Sequence, residues 1–138
     1  MLILGKPGSG KSDLALRLID EPGHGISDGL KSSELVSDDQ VVITRHEGKL
    51  VASSPAALRG KLEIRGLDIV KLATQPSVPL SLVVKLHSHS VIERLPGPRT
   101  FEILGLALPL VEIDGTAASA PARLRAALNW LKQPNKDP

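Results

Sequence analysis

Eight residues near the start of the chain have the types and spacing needed to hold a polyphosphate. They read GKPGSGKS and match the P-loop pattern G-x-x-x-x-G-K-[ST] at every constrained position. The glycines allow turns in which successive backbone N–H groups point at phosphate oxygens. Lysine brings a charge that can reach the β and γ phosphates, and the final hydroxyl can ligate Mg²⁺. The candidate nucleotide-binding residues are Gly5, Lys6, Pro7, Gly8, Ser9, Gly10, Lys11 and Ser12.

The segments on either side of this motif are those that a P-loop requires. Leu2–Leu4 is a short apolar strand, and from Ser12 onward an apolar stripe formed by Leu14 and Leu18 predicts a helix. Phosphate would therefore lie at a helix N-terminus, where the helix dipole favours negative charge. A chance glycine-rich turn is the alternative, and this context argues against it. We predict that the chain binds a nucleoside triphosphate.

Carboxylates further along the chain could complete such a site. Asp38 and Asp39 follow the apolar pair Leu35–Val36, where they could anchor Mg²⁺ or accept a proton from an attacking hydroxyl. Aspartate is also common in turns, so the residues alone leave these interpretations evenly weighted. Glu63 lies inside a predicted strand, where alternation favours a side chain that faces solvent.

Two histidines could suggest a metal site. His87 and His89 are alternate residues of a predicted strand end and would share one face. No third ligand lies nearby in the sequence, and a protein metal site needs a fuller ligand set. An exposed strand end or loop is the favoured interpretation.

The composition indicates an ordinary soluble globular domain. Of 138 residues, 41% are hydrophobic and 23% charged, with a net charge of +2 from interspersed Lys, Arg, Asp and Glu. There is no cysteine, which excludes disulfides and thiolate metal sites and fits the cytoplasm. Neither a membrane span nor a nucleic-acid-binding surface is expected. We predict one P-loop domain over residues 1–132, followed by a tail over 133–138.

The remaining elements predict an α/β domain with a mixed, largely antiparallel sheet of short strands. One helix follows the P-loop, and a second begins near Pro121. A surface loop is expected over Glu21–Ser33 and a hairpin turn over His46–Lys49. The predicted later strands are Val41–Ile43, Leu50–Ala52, Leu62–Ile64, Ile69–Leu72, Leu80–Leu86, Phe101–Leu104 and Leu108–Ile113.

Taken in order, several segments resemble the catalytic domain of the HPr kinase/phosphorylases, bacterial enzymes that phosphorylate a serine of the phosphocarrier protein HPr. The segments are GKPGSGKSDLAL, LVSDDQVVI, LEIRGLDIV and IERLPGPRTFEILGLALP. The resemblance covers nearly the whole chain, and LEIRGL is much more specific to that family than the P-loop. The short length is similar to that of forms which lack the N-terminal domain.

The resemblance implies a role for each matching residue. The P-loop would hold ATP, with Lys11 stabilising the transferring phosphoryl group, and Ser12 and Glu63 would ligate Mg²⁺. Asp39 would be the base toward the substrate serine, with Asp38 supporting it or the metal. Arg94 would belong to the active site. The segment Leu62–Lys71 would serve both directions of the reaction, and the family resemblance implies a hexamer.

Two family features have no match in this sequence. Family members carry a catalytic histidine upstream of the P-loop, and none precedes Gly5 here. We therefore expect a truncated form, a substitute group or reduced activity. Long members also have an arginine- and glycine-rich segment after the final strand, linked to dephosphorylation. The matching residues 114–119 contain no arginine, so phosphorolysis is predicted to be weak or lost while kinase activity persists.

The sequence leaves two other functions open. One is a small P-loop kinase or hydrolase that acts on a metabolite or on water. The other is a nucleotide-sensing module that binds ATP without transferring phosphate. The LEIRGL segment favours the protein-serine kinase over the first of these.

Overall fold

Short apolar segments separated by glycine turns assemble into three sheets flanked by two α-helices. A computed structural model describes residues 1–23, 25–27 and 33–131. The strands are β1 (Leu2–Leu4), β2 (Val42–His46), β3 (Lys49–Ser53), β4 (Lys61–Ile64), β5 (Asp68–Lys71), β6 (Ser77–Pro79), β7 (Val83–Leu86), β8 (Thr100–Ile103) and β9 (Leu106–Ile113). The helices are α1 (Lys11–Asp20) and α2 (Ala120–Leu131). Within the described ranges, no helix has the length and apolarity needed to cross a membrane.

The central sheet sets the position of the P-loop. Its strand order is β1-β7-β9-β8, with β1, β7 and β9 parallel and β8 antiparallel to β9. The carboxyl ends of parallel strands meet at one edge of a sheet, where α/β folds bind their ligands. The residues that leave this edge are Gly5 after β1, His87 after β7 and Asp114 after β9.

Apolar side chains cover both faces of the central sheet. On one face, α1 and α2 bury Leu14 and Leu124 against Val84 of β7. On the other face lies the antiparallel sheet β2-β3-β6, which buries Leu50 together with Leu2 of β1. A separate hairpin, β4–β5, contacts α1. The result is a mixed α/β fold of short strands, as the sequence predicted.

Two tight turns close hairpins. Glu47 and Gly48 have φ angles of 50° and 75° between β2 and β3, which is the geometry of a type I′ turn. The predicted turn over His46–Lys49 is confirmed. Leu104 and Gly105, with φ angles of 48° and 80°, make the same kind of turn between β8 and β9. The prediction that the strand continues to Leu104 is therefore one residue too long.

One sequence prediction about strands is wrong. The segment Leu80–Leu86 is not one strand, because β7 begins only at Val83. The Leu80 amide donates to Leu50 in the small sheet, whereas Leu82 accepts a hydrogen bond from Leu2 in the central sheet. The chain thus passes from one sheet to the other at this point. Leu35, shortly before the aspartate pair, makes a single parallel bridge with Thr74.

The helices agree with the sequence predictions. α1 follows the P-loop, and Pro121 is the second residue of α2, where a missing N–H does no harm. The predicted loop over Glu21–Ser33 contains a 3-10 turn at Gly25–Ser27, and residues 24 and 28–32 lie outside the described ranges. The predicted tail over 133–138 also lies outside them, so the domain boundary stays a prediction.

Candidate active site

The P-loop presents backbone amides at the start of α1. Gly10 precedes the helix with φ 94° and ψ 20°, a left-handed conformation suited to glycine, and no side chain caps the helix. The first-turn N–H groups of an uncapped helix have no intrahelical partner. They lie at the positive end of the helix dipole. Gly8, with φ 81°, turns the chain immediately before this point.

The loop is tightly folded on itself. A Cβ placed on Gly5 would collide with the Ser9 hydroxyl and would lie 3.3 Å from the Leu86 Cβ, so only glycine fits there. The Lys11 ammonium lies back across the loop, where Nζ donates to the carbonyls of Gly5 at 2.6 Å and Lys6 at 3.2 Å. Its charge therefore lies against the backbone of the P-loop, at the carbonyls of the first two residues of the motif.

Asp38 joins three parts of the chain at the P-loop. Its Oδ1 accepts a hydrogen bond from the Ser12 hydroxyl at 2.9 Å. Its Oδ2 accepts one from the backbone N–H of Glu63 at 3.2 Å. The structure thus brings together Ser12, Asp38 and the backbone of Glu63, three residues identified separately in the sequence.

Asp39 stands in an uncommon backbone conformation. Its φ angle is 63°, and across it the Gln40 N–H donates to the Asp38 carbonyl at 2.7 Å. This is the pattern of a γ-turn with positive φ at its central residue, a strained arrangement. Strained residues cluster at functional sites, where surrounding structure fixes them. The exposed Asp39 carboxylate is held beside Asp38 by this turn.

Two serines that the sequence analysis did not identify support the turn. The Ser37 hydroxyl lies 2.5 Å from the Gln40 carbonyl and 3.1 Å from the hydroxyl of Ser54. Ser54 is buried at the end of β3. The pair ties both ends of the Asp38–Asp39 turn to the small sheet. Only their positions in the fold reveal this role, because a lone serine in a turn carries no signal of its own.

The oxygen atoms at this site are the kind that Mg²⁺ prefers. Ser12 and Asp38 are in direct contact, and Glu63 follows on β4 with an exposed side chain. In the described part of the chain, no group of three or more His, Asp or Glu side chains could hold a metal by itself. Mg²⁺ in kinases is usually held by one or two protein ligands and by substrate phosphates. The residues present fit that arrangement.

Arg94 lies apart from these residues. It is exposed, between a 3-10 turn over His89–Val91 and β8. The neighbouring Arg99 instead donates to Glu112 at 2.8 Å and to Glu93 at 2.6 Å. Both hydrogen bonds raise the pKa of Arg99 above its ordinary value. The segment that carries Arg94 is thereby attached to β9, and the catalytic role of Arg94 stays a prediction.

The two histidines follow β7 at the same edge of the sheet as the P-loop. His87 is half-buried, and its Nε2 lies 2.9 Å from a carboxylate oxygen of Glu112. His89 is exposed and begins the 3-10 turn. They lie at a strand end and loop, the interpretation that the sequence analysis favoured over a metal pair.

A cavity of about 560 Å³ adjoins the carboxylates. Lys11, Ser12, Asp38 and Asp39 contribute to its wall, and apolar residues of α1, β1 and β6 line the rest. Ligand pockets are commonly of this size and combine apolar walls with a few polar groups. The last two residues of the predicted P-loop, Lys11 and Ser12, thus share one concave region with the aspartate pair.

A model of the HPr serine kinase C-terminal domain matches residues 1–129 of this chain. The chain belongs to that family. Curated relatives include the HPr kinase/phosphorylase of Clostridium tetani, 43% identical over a region that covers 89% of this chain and 36% of that protein. Another is the HPr kinase/phosphorylase of Chloroherpeton thalassium, 36% identical over 95% of this chain and 40% of that protein. The chain thus spans about two fifths or less of these family members.

A solved structure gives the same fold. The HPr(Ser) kinase/phosphatase from Coxiella burnetii matches with a TM-score of 0.73 and covers 92% of this chain and 79% of that one. The sequence identity is 24%, so this likeness bears on the fold. The family membership and the mixed α/β fold that the sequence predicted are both confirmed.

Proposed function

We propose that this domain transfers the γ-phosphoryl group of ATP to a serine hydroxyl of HPr or a related phosphocarrier protein. The observation that carries the proposal is the position of Asp38, whose carboxylate contacts both the P-loop hydroxyl of Ser12 and the backbone of Glu63. A phosphate cradle, a candidate metal ligand set and a strained acidic turn therefore meet in one place.

Asp39 acts as the base in this proposal. A serine hydroxyl is a poor nucleophile at neutral pH, and a carboxylate within reach can take its proton during attack. The serine oxygen forms a bond to the γ-phosphorus, the bond from that phosphorus to the β-phosphate oxygen breaks, and the proton passes to Asp39. The positive φ of Asp39 fixes its carboxylate before the substrate arrives.

The other residues act through charge and position. Lys11 and the first-turn amides of α1 hold the phosphates, and Ser12, Asp38 and Glu63 would hold Mg²⁺. Bound Mg²⁺ neutralises charge that develops on the phosphate oxygens. Arg94 would add positive charge at this site, as the family resemblance implies. Such preorganised electrostatics usually supplies most of the rate enhancement in phosphoryl transfer.

HPr is proposed as the acceptor because relatives of the chain are named HPr kinase/phosphorylase. The test is to incubate the protein with Mg²⁺, γ-labelled ATP and purified HPr, and to map the label. We expect it on a single serine, with none on HPr in which that serine is alanine. ATP binding without labelling would contradict the proposal and would favour a nucleotide-sensing module.

The reverse reaction is proposed to be weak or absent. Residues 114–119, after β9, contain no arginine, whereas long members of the family have an arginine- and glycine-rich segment there that is linked to dephosphorylation. The test measures the rate of pyrophosphate release when serine-phosphorylated HPr is mixed with the protein and inorganic phosphate. We expect release at least about tenfold slower than the forward reaction, equivalent to about 1.4 kcal/mol in activation free energy. Comparable rates would contradict this.

A small-molecule kinase is the second candidate, and the cavity beside Asp38 and Asp39 favours it. Its volume suits a metabolite better than a protein surface. The two functions separate in one assay, because ATP turnover by a metabolite kinase or ATPase would not depend on HPr. Turnover that rises with HPr concentration would support the protein kinase.

A further inference from the structure

The loop after β9, Asp114–Ala118, lies against the P-loop. A methyl carbon of Thr116 is 3.9 Å from where a Cβ on Gly10 would stand. Gly115 packs over Leu86 at the end of β7, so closely that an added Cβ would come within 2.8 Å of the leucine side chain. The loop therefore lies next to the P-loop, because both follow parallel strands that end at the same edge of the central sheet.

Hydrogen bonds hold this loop in one shape. Arg17 of α1 donates through Nη1 to the Ala117 carbonyl at 3.0 Å and through Nη2 to the Gly115 carbonyl. The Asp114 carboxylate accepts from the Thr116 amide at 2.9 Å and from its hydroxyl at 2.6 Å. The same helix thus carries the P-loop at its start and holds this loop through a residue nearly two turns later. A loop that is already ordered loses little conformational entropy when a ligand binds.

The two sides of the P-loop differ in chemistry. Asp38 reaches Ser12 from the side of the β4–β5 hairpin. The hydroxyl of a P-loop serine would hold the Mg²⁺ that serves the β and γ phosphates. The γ end of the nucleotide therefore lies toward Asp38 and Asp39. The Asp114–Ala118 loop approaches Gly10 from the side of β7 and β9. The nucleoside is at the opposite end of ATP from the γ-phosphate. It must therefore extend from the P-loop on the side away from Asp38 and Asp39.

We infer that the Asp114–Ala118 loop forms the subsite for the nucleoside of ATP, with Arg17 as the residue that positions it. This inference rests on the proposed function. The loop offers an exposed threonine, small alanine side chains and backbone groups. It would contact the sugar and base through these small groups rather than through an aromatic platform.

The test compares two ligands that share the phosphates and differ in the nucleoside. Dissociation constants for ATP and for inorganic tripolyphosphate are measured by calorimetry, each with Mg²⁺. The variant is Thr116→Trp, which puts a large side chain where the nucleoside would lie. The matched control is Thr44→Trp, an exposed threonine on β2 in the small sheet. Circular dichroism verifies that both variants remain folded.

We expect Thr116→Trp to weaken ATP binding by about tenfold or more while tripolyphosphate binding stays within about twofold. Thr44→Trp should change neither constant. Equal weakening of both ligands would overturn the inference, because the loop would then act on the phosphate cradle. Unchanged ATP binding would also overturn it and would leave the proposed function intact. Failure of the unmodified protein to bind either ligand would overturn the proposed function and this inference together.

Discussion

At the scale of single residues, the site depends on where the backbone places two adjacent aspartates. Asp38 has both carboxylate oxygens occupied by hydrogen bonds, from Ser12 and from the Glu63 amide. Asp39 is exposed and has φ 63°. The sequence predicted that these residues could act as metal anchor and base. The residue types alone could not divide these roles, and only the family resemblance assigned the base to Asp39. The contacts that distinguish Asp38 from Asp39 join residues 25 or more positions apart, which local patterns do not predict.

Substitution of Asp39 by glycine should stabilise the protein while removing its activity. Glycine adopts positive φ without the steric cost that aspartate has there. We expect the free energy of unfolding to rise by about 1 kcal/mol, measured by urea denaturation. Phosphoryl transfer should be lost at the same time. Gln40→Gly, at the next position, should lower stability because φ there is not in the left-handed region. A loss of stability in Asp39→Gly would contradict the strained-turn account.

Asp114 should make the stability of the protein depend on pH, and the hydrogen bonds from Thr116 should determine how strongly. Hydrogen bonds from the Thr116 hydroxyl and amide lower the pKa of Asp114 below its ordinary value of 3.8. A carboxylate whose pKa is lower in the folded than in the unfolded state stabilises the fold at pH values above its unfolded-state pKa. This stabilisation is lost as the pH falls through the folded-state pKa. Thr116→Val removes the hydroxyl bond. NMR titration should show a higher pKa for Asp114, and stability should fall less steeply as the pH drops below the ordinary value of 3.8. An unchanged pKa would contradict this.

At the scale of elements, α1 is fixed at both ends by residues distant in sequence. Its start carries the P-loop, and its end is capped by Arg125 of α2. The buried guanidinium donates to the Leu18 carbonyl at 3.0 Å and to the Glu21 carbonyl. Cations at a helix C-terminus satisfy its last carbonyls and interact well with its dipole. α2 therefore holds the helix that follows the P-loop motif.

Substitution of Arg125 by methionine should destabilise the protein. The carbonyls of Leu18 and Glu21 would lose a charged donor in a buried place, which costs about 2–3 kcal/mol. Urea denaturation measures this loss. Arg123→Met on the same helix is the control, because Arg123 is exposed, and it should change stability by no more than about 0.5 kcal/mol. Equal effects from the two variants would contradict the capping role.

Local sequence patterns predicted most helices and strands well. The features that they did not predict depend on contacts between residues distant in sequence. The P-loop and α1 follow from glycine spacing and an apolar stripe within twenty residues. The segment Leu80–Leu86 was predicted as one strand because its apolar run is continuous. Its break at Leu82 depends on hydrogen bonds to Leu50 and Leu2 in different sheets. Arg17 likewise could be predicted only to pair with Asp13 on its own helix, not to hold the loop after β9.

At the scale of the whole molecule, three layers bring the ends of parallel strands to one edge. The helices cover one face of the central sheet, and the small sheet covers the other. The P-loop, the histidine-bearing loop and the Asp114–Ala118 loop all leave the same edge. The Asp38–Asp39 turn reaches it from the small-sheet side through Ser37 and Ser54. The candidate site residues predicted from separate motifs thus lie around the N-terminus of one helix, α1.

The measurement that tests the central claim most directly is the rate of phosphate transfer from labelled ATP to HPr by three proteins. These are the unmodified chain, Asp39→Asn, and the control Asp20→Asn at the exposed end of α1. We predict that Asp39→Asn slows transfer by about 10²–10⁴-fold, the usual contribution of a general base, while ATP binding is unchanged. Asp20→Asn should transfer at the unmodified rate. Equal rates for Asp39→Asn and Asp20→Asn would contradict the account, because Asp39 would then have no part in the transfer.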